Sequence, residues 1–186
     1  VISTAFGVVE KGSPVPLGHA MPGDKLIITK TAAIEGSFIA ANEHADKLKG
    51  KVPAEYIEEA KTYSNLISVV KEGNVLGPLA SETGALRDDG FPRSSVNLMH
   101  DVTEGGVEGA AFEMADFSKV GVTLDRRLVP FTDCSKAICD ALELDPFRLI
   151  SSGALMIASS EPDKVIKALE EQGIRATVIG EFTDAS

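Results

Sequence analysis

The stretch Asp145 to Phe182 constrains the fold most. DPFRLISSG leads into the apolar run ALMIAS, then into EPDKVIKALEEQG, then into RATVIGEF. Aliphatic and β-branched runs suit strands, and Glu161-Pro162 marks a helix start because proline is tolerated in a first turn. The segment therefore predicts a β-α-β unit of the ferredoxin-like kind at the C-terminal end.

The rest of the chain repeats this alternation less regularly. Ile2 to Glu10 is strand-like and stops at Lys11-Gly12, and the three prolines of GSPVPLGHAMPGD make a loop. KLIITK reads as a buried strand introduced by the Pro22-Gly23-Asp24 turn. IEGSFIAANEHADKLKG reads as one helix with Ile34, Phe38, Ala41 and Ala45 at helical spacing, closed by Gly50. Pro53 opens a second helix that continues past Ser64-Asn65 into LISVVKEG, and Asn74 to Leu86 is helical but interrupted at Gly77-Pro78. RDDGFPRSS is a polar loop before a short strand, SVNLM, which ends at His100-Asp101. A helix from Gly106 to Ser118, a strand GVTLD, and a helix introduced by Thr132-Asp133 complete the series. Several connections are too short for a doubly wound sheet. The expectation is an α+β fold, an α/β sandwich in which helices cover a mixed β-sheet.

With 186 residues, of which 44% are hydrophobic, residues 1–186 read as a single domain with length for a full core. Eighteen Lys and Arg against 28 Asp and Glu give a net charge of -10, which argues against nucleic acid or an anionic membrane as partner. Cys134 and Cys139 fit no zinc spacing, so the chain is expected to be reduced and cytoplasmic, with no metal site of its own. Neither a signal peptide nor a membrane span is apparent. Val1 stands inside a strand-like segment in place of an initiator Met, so the chain reads as a fragment lacking something upstream.

Chemistry is concentrated in MHDVTEGGVEGAAFEMA, Met99 to Ala115. Glycines at a strand-to-helix junction let a ligand approach the backbone and leave N–H groups at the positive end of the helix. Thr103, Glu104, Gly105 and Gly106 are thus candidate phosphate or substrate contacts, with a plain cap and tight turn as the alternative. Asp101, as acid, base, orienting partner of His100 or ligand of a magnesium ion, is the first candidate catalytic residue and His100 the second, with solvated strand ends as the alternative. A second segment, Ser151, Ser152 and Gly153, places two hydroxyls and a flexible backbone beside a buried strand, or else is only a polar bulge. Lys30 and Thr31 lie at another strand-to-helix junction and are candidates for a phosphate, although such a Lys is more often a solvated strand end. His19 has no partner spacing, and His44 reads as surface. Cys139 reads as core, and Cys134 as an inert thiol near a helix start. Glu35, Glu108 and Glu113 read as solvated charge.

Taken together, PGDKLIITK, HDVTEGG before the EMA helix, the Pro130 loop, DPFRLISSGALMIA and GIRATVIGEF resemble the C-terminal domain of the AIR synthase-related, or PurM-like, superfamily. The resemblance covers nearly the whole chain. HDVTEGG and DPFRLISSGAL look closest to the hydrogenase expression/formation HypE group. It implies a PurM C-terminal-like fold and ATP-dependent chemistry that phosphorylates the oxygen of an amide, carbamoyl or similar group. It further implies that ATP and magnesium sit mainly on an N-terminal ATP-binding domain, which this chain lacks, at a homodimer interface. The domain here would then bind no cofactor tightly by itself, would line the substrate side of the cleft, and would not turn over ATP alone. Two departures stand out. TAAIEGS replaces the serine- and histidine-containing loop of AIR synthetase and lacks the HypE histidine, and the chain ends GEFTDAS, without the C-terminal Cys of HypE enzymes. A non-catalytic ligand-binding or regulatory module that keeps the fold is the alternative.

Overall fold

The computed structural model describes residues 4, 8, 18–81 and 94–185. The strand read at Ile2 to Glu10 and most of the RDDGFPRSS loop lie outside these residues. Five strands form one sheet: β1 (Lys25–Thr29), β2 (Leu98–Asp101), β3 (Gly121–Leu124), β4 (Leu155–Ser159) and β5 (Ala176–Thr183), in the order β2-β4-β1-β5-β3. The helices are α1 (Ile34–Glu43), α2 (Ala45–Leu48), α3 (Ala54–Lys61), α4 (Val70–Ser81), α5 (Gly106–Ser118), α6 (Asp133–Leu142) and α7 (Pro162–Glu170).

Strand side chains alternate between faces, and here both faces are covered. Leu26 and Ile28 of β1 with Met156 and Ala158 of β4 join a core under α1, α3, α5 and α6 that includes Ala41, Ala60, Met114 and Ile138. Ile27, Leu155 and Ile157 point the other way, into a second core with Leu76 and Leu79 of α4 and Val165 and Leu169 of α7. Double burial explains why KLIIT and LMIAS are nearly unbroken apolar runs instead of alternating ones.

The α+β class holds, but the sheet of described strands is not mixed. Every pairing between the described strands is antiparallel. The β4-α7-β5 unit exists as expected, yet its two strands do not touch: β1 lies between them and pairs with both. A strand from the far end of the chain thus splits the local unit. Local patterning carries no information about that insertion.

Two helix expectations also change. The segment 34–50 breaks at His44 into α1 and α2. The helix from Pro53 ends at Lys61 and tightens into a 3-10 turn, Thr62–Leu66, before α4 begins at Val70 and runs through Gly77-Pro78. Pro78 removes one helical hydrogen bond, but Leu76, Leu79 and Ala80 are buried on either side of it, and packing of an apolar face outweighs propensity.

Both cysteines are free and buried; Cys139 is core, as read from the sequence, and Cys134, read only as an inert thiol near a helix start, is buried at the start of α6. Burial pushes the Cys139 thiol up to about 11 and raises Cys134 as well. A raised folded-state value means that stability from the neutral Cys139 thiol is present below its ordinary value of 9.0 and is lost as pH rises through about 11. We therefore expect a thiol reagent at pH ~8 to label neither cysteine in the native chain and both after unfolding. Rapid native labelling would contradict this burial.

Candidate functional site

The site begins where edge strand β2 ends. Val102 donates its N–H to Ala154 O (3.2 Å) and accepts from the Ser151 N–H (3.1 Å), so it is stapled to both ends of the serine turn. The chain then turns through Thr103 to Gly105, a left-handed N-cap at φ 82°, into α5. Gly106, also left-handed at φ 61°, is pressed against the 147–149 backbone, where an added Cβ would lie 2.6 Å from Phe147 O and 2.7 Å from Leu149 O. The Glu108 N–H donates to Phe147 O at 3.2 Å. The glycine junction and the serine turn, distant in sequence, are side by side in space.

Their residues divide into two groups. Gly106, Ser151 and Gly153 are buried, while Thr103 and Ser152 are half-buried and Glu104 and Gly105 are exposed. Gly153, at φ 105°, packs against the 3-10 turn, where a Cβ would come within 2.4 Å of Leu66 O. The Ser151 hydroxyl is buried with no hydrogen-bond partner among the described residues. Gly106 and Gly153 thus shape the surface, and Thr103, Glu104, Gly105 and Ser152 present it.

His100 and Asp101 are the last two residues of β2, just ahead of the junction. The His100 Nδ1 lies 2.5 Å from Asp101 O and 3.8 Å from Asp101 Oδ1, and its Nε2 lies 3.3 Å from Glu113 Oε2 on α5. An imidazole between two carboxylates can relay a proton along the strand edge. Glu113 is exposed, as its reading as solvated charge has it, and it also pairs with His100. Its position relative to His100 depends on how α5 crosses β2, which no spacing encodes.

Glu108 departs from its reading. Both the Nε (2.7 Å) and an Nη of Arg126 bond its carboxylate, Arg148 Nε approaches to 3.9 Å, and Arg126 reaches Asp145 at 3.5 Å. The Arg126 guanidinium also lies 4.5 Å from the centre of the Phe147 ring. This cluster ties the 145–148 segment to the first turn of α5. The pairs are partly solvated, so Glu108→Ala is expected to cost only about 1 kcal/mol, read as a small shift in a urea melt. A loss several times larger would mean that the cluster is not screened by solvent.

The phosphate reading of Lys30 and Thr31 fails. The Thr31 hydroxyl donates to Pro130 O (2.9 Å), and the Lys30 ammonium is engaged inside the molecule by Glu72 Oε1 at 2.7 Å and by three carbonyls. His19 stacks on Phe117 at 4.9 Å, and His44 is exposed. Two hollows lie elsewhere. One of about 630 Å³ follows β3 and β5 past Asp125, and one of about 530 Å³ is bordered by Lys47, Lys49 and Lys51. Bonds from Arg127 hold the Asp125 carboxyl down at about 2. Among the described residues no group of three His, Cys, Asp or Glu is placed to hold a metal ion, so no step through magnesium is derived from this chain. Nor is any described helix long and apolar enough to cross a membrane.

An antiparallel sheet covered by helices, with a glycine junction beside a serine turn, defines a domain of the PurM-like C-terminal class. The chain belongs to the family described as AIR synthase related protein, C-terminal domain, which matches residues 21–186. It is 26% identical over 184 residues to the carbamoyl dehydratase HypE of Rhizobium leguminosarum bv. viciae, covering 96% of this chain and 46% of that protein. The structure of E. coli HypE, a hydrogenase maturation protein, superposes with a TM-score of 0.63 at 25% identity over 89% of this chain and 45% of that one. A HypE solved in complex with ATP shares the fold at 19% identity, with a TM-score of 0.60 over 90% of this chain and 44% of that one. The chain spans about half the length of the curated relatives it matches.

Proposed function

We propose that this chain is the substrate-side domain of an ATP-dependent, HypE-like protein that activates a carbonyl or carbamoyl oxygen by phosphorylation. The observation that carries this reading is the lateral contact between the Thr103–Gly106 junction and the Ser151–Gly153 turn through Val102. A phosphorylated intermediate gathers negative charge, and the main-chain N–H groups of Glu104 and Gly105, in the turn ahead of α5, stabilise it without reorganising, while those of Gly106 and Glu108 are taken up by Thr103 O and Phe147 O. Thr103, Glu104, Gly105 and Ser152 hold the substrate, Gly106, Ser151 and Gly153 fix the shape of its seat, and Asp101 with His100 moves the proton. ATP, which belongs to the HypE solved with it, and Mg2+ are supplied by an N-terminal ATP-binding domain, in a homodimer acting in the cytoplasm on a carbamoyl-type small molecule.

The test is ATP turnover, measured as phosphate release. The chain by itself is expected to release none. The protein that carries it together with a nucleotide-binding domain is expected to release phosphate when a carbamoyl compound is added, and Ser152→Ala with Thr103→Ala is expected to raise KM about tenfold. Turnover by the isolated chain, or an unchanged KM in the double variant, would contradict the assignment.

A further inference from the structure

The Lys30 ammonium sits in a cage of four oxygens. Leu66 O lies at 3.0 Å, Ser68 O at 2.8 Å, Gly153 O at 2.8 Å and Glu72 Oε1 at 2.7 Å. The cage joins four parts of the fold: the end of β1, the 66–68 segment, α4 and the serine turn. Lys30 is left-handed at φ 55°, and the missing side chain of Gly153 lets that turn approach Leu66. Glu72 is fully buried, and neither of its carboxylate oxygens has a hydrogen-bond partner among the described residues, the Lys30 ammonium meeting Oε1 as an ion pair. A buried carboxylate with no donor beyond one ammonium demands a positive charge at that point.

We propose that this cage is a monovalent cation site whose ion is supplied by the chain itself: the Lys30 ammonium occupies the place of a potassium or ammonium ion and thereby positions the serine turn. One carboxylate and three neutral carbonyls carry a single negative charge, so one positive charge balances them and a divalent ion would leave a buried excess. Carbonyl oxygens are also the ligands that replace the hydration shell of potassium, while magnesium and calcium draw their oxygens closer than this cage holds them. The inference rests on the cage alone and stands or falls independently of the substrate reading.

The experiment replaces the tethered charge with a free one. Lys30→Ala empties the cage, and Lys30→Met fills it with an uncharged stem. Each is melted and refolded in potassium, ammonium and tetramethylammonium chloride at one ionic strength, alongside the unaltered chain. The unaltered chain is expected to melt alike in the three salts. Lys30→Ala in tetramethylammonium is expected to melt lower by roughly 10 °C. Potassium or ammonium is expected to restore at least half of that loss. In the same titration, hydrogen exchange at the Ala154 amide, which bonds Ser151 O across the turn, is expected to accelerate about a hundredfold and then recover. Lys30→Met is expected to be as unstable and not recover, and adding Glu72→Gln to Lys30→Ala is expected to abolish the recovery. Equal melting of Lys30→Ala in all salts, recovery of Lys30→Met as large as that of Lys30→Ala, or a Lys30→Ala chain that refolds in none of them would overturn the proposal.

Discussion

Gly106→Ala is expected to cost about 3 kcal/mol or more and to lower the melting temperature by roughly 6–12 °C. Two terms add. The left-handed φ of 61° disfavours any side chain by about 1 kcal/mol. The new Cβ would also sit 2.6, 2.7 and 2.8 Å from Phe147 O, Leu149 O and Arg148 C. These are backbone atoms of a segment held by the bonds Glu108 N–H to Phe147 O, Gly36 N–H to Ile150 O and Ser151 N–H to Val102 O. It cannot retreat without disturbing the serine turn. Gly173→Ala is the control, since Gly173 has a φ of 70° but open space around its Cβ position. It should show only the backbone cost, about 1 kcal/mol. Equal losses at both positions, measured by chemical denaturation, would mean that the two turns are not pressed together.

The second large effect concerns catalysis and rests on the proposed function. Asp101→Asn keeps the shape of the side chain and removes its charge. In the protein that carries this domain with its nucleotide-binding partner domain, it is expected to lower ATP-dependent turnover about a hundredfold. Its side chain is 61% exposed, so the melting temperature should stay within about 2 °C. His100→Gln is expected to fall by a similar factor, because the imidazole bridges Asp101 and Glu113. A loss of less than threefold for both, with the fold intact, would move the chemistry away from this cluster.

Much of the architecture was legible because the apolar runs are dense and sharply bounded. KLIIT, LMIAS and the β4-α7-β5 unit were placed by patterning, and Thr132 caps α6 through the Ser135 N–H (3.1 Å), as a threonine before an apolar helix should. Strand direction was not legible. The insertion of β1 between β4 and β5 is a long-range event, and an alternating order of elements fits mixed and antiparallel sheets equally well. Helix ends were missed where packing overruled local signals, as at Pro78 inside α4.

At the site, the glycines were visible as glycines, but their division of labour was not. Whether Gly106 meets ligand or backbone depends on the 147–149 segment, some forty residues away in sequence. Glu108, Glu113 and Glu72 share the same limitation. Each carboxylate acquires its role from a partner brought in by tertiary structure: Arg126, His100 and Lys30 respectively. Composition registers such residues only as charge.

The most direct test is an amide chemical-shift titration of the chain with carbamoyl phosphate, run beside inorganic phosphate. If the glycine junction and the serine turn form one seat, the amides of Glu104, Gly105 and Ser152 will move together and fit a single dissociation constant. Shifts confined to one of the two turns, or centred on Lys47, Lys49 and Lys51, would show that the seat does not exist.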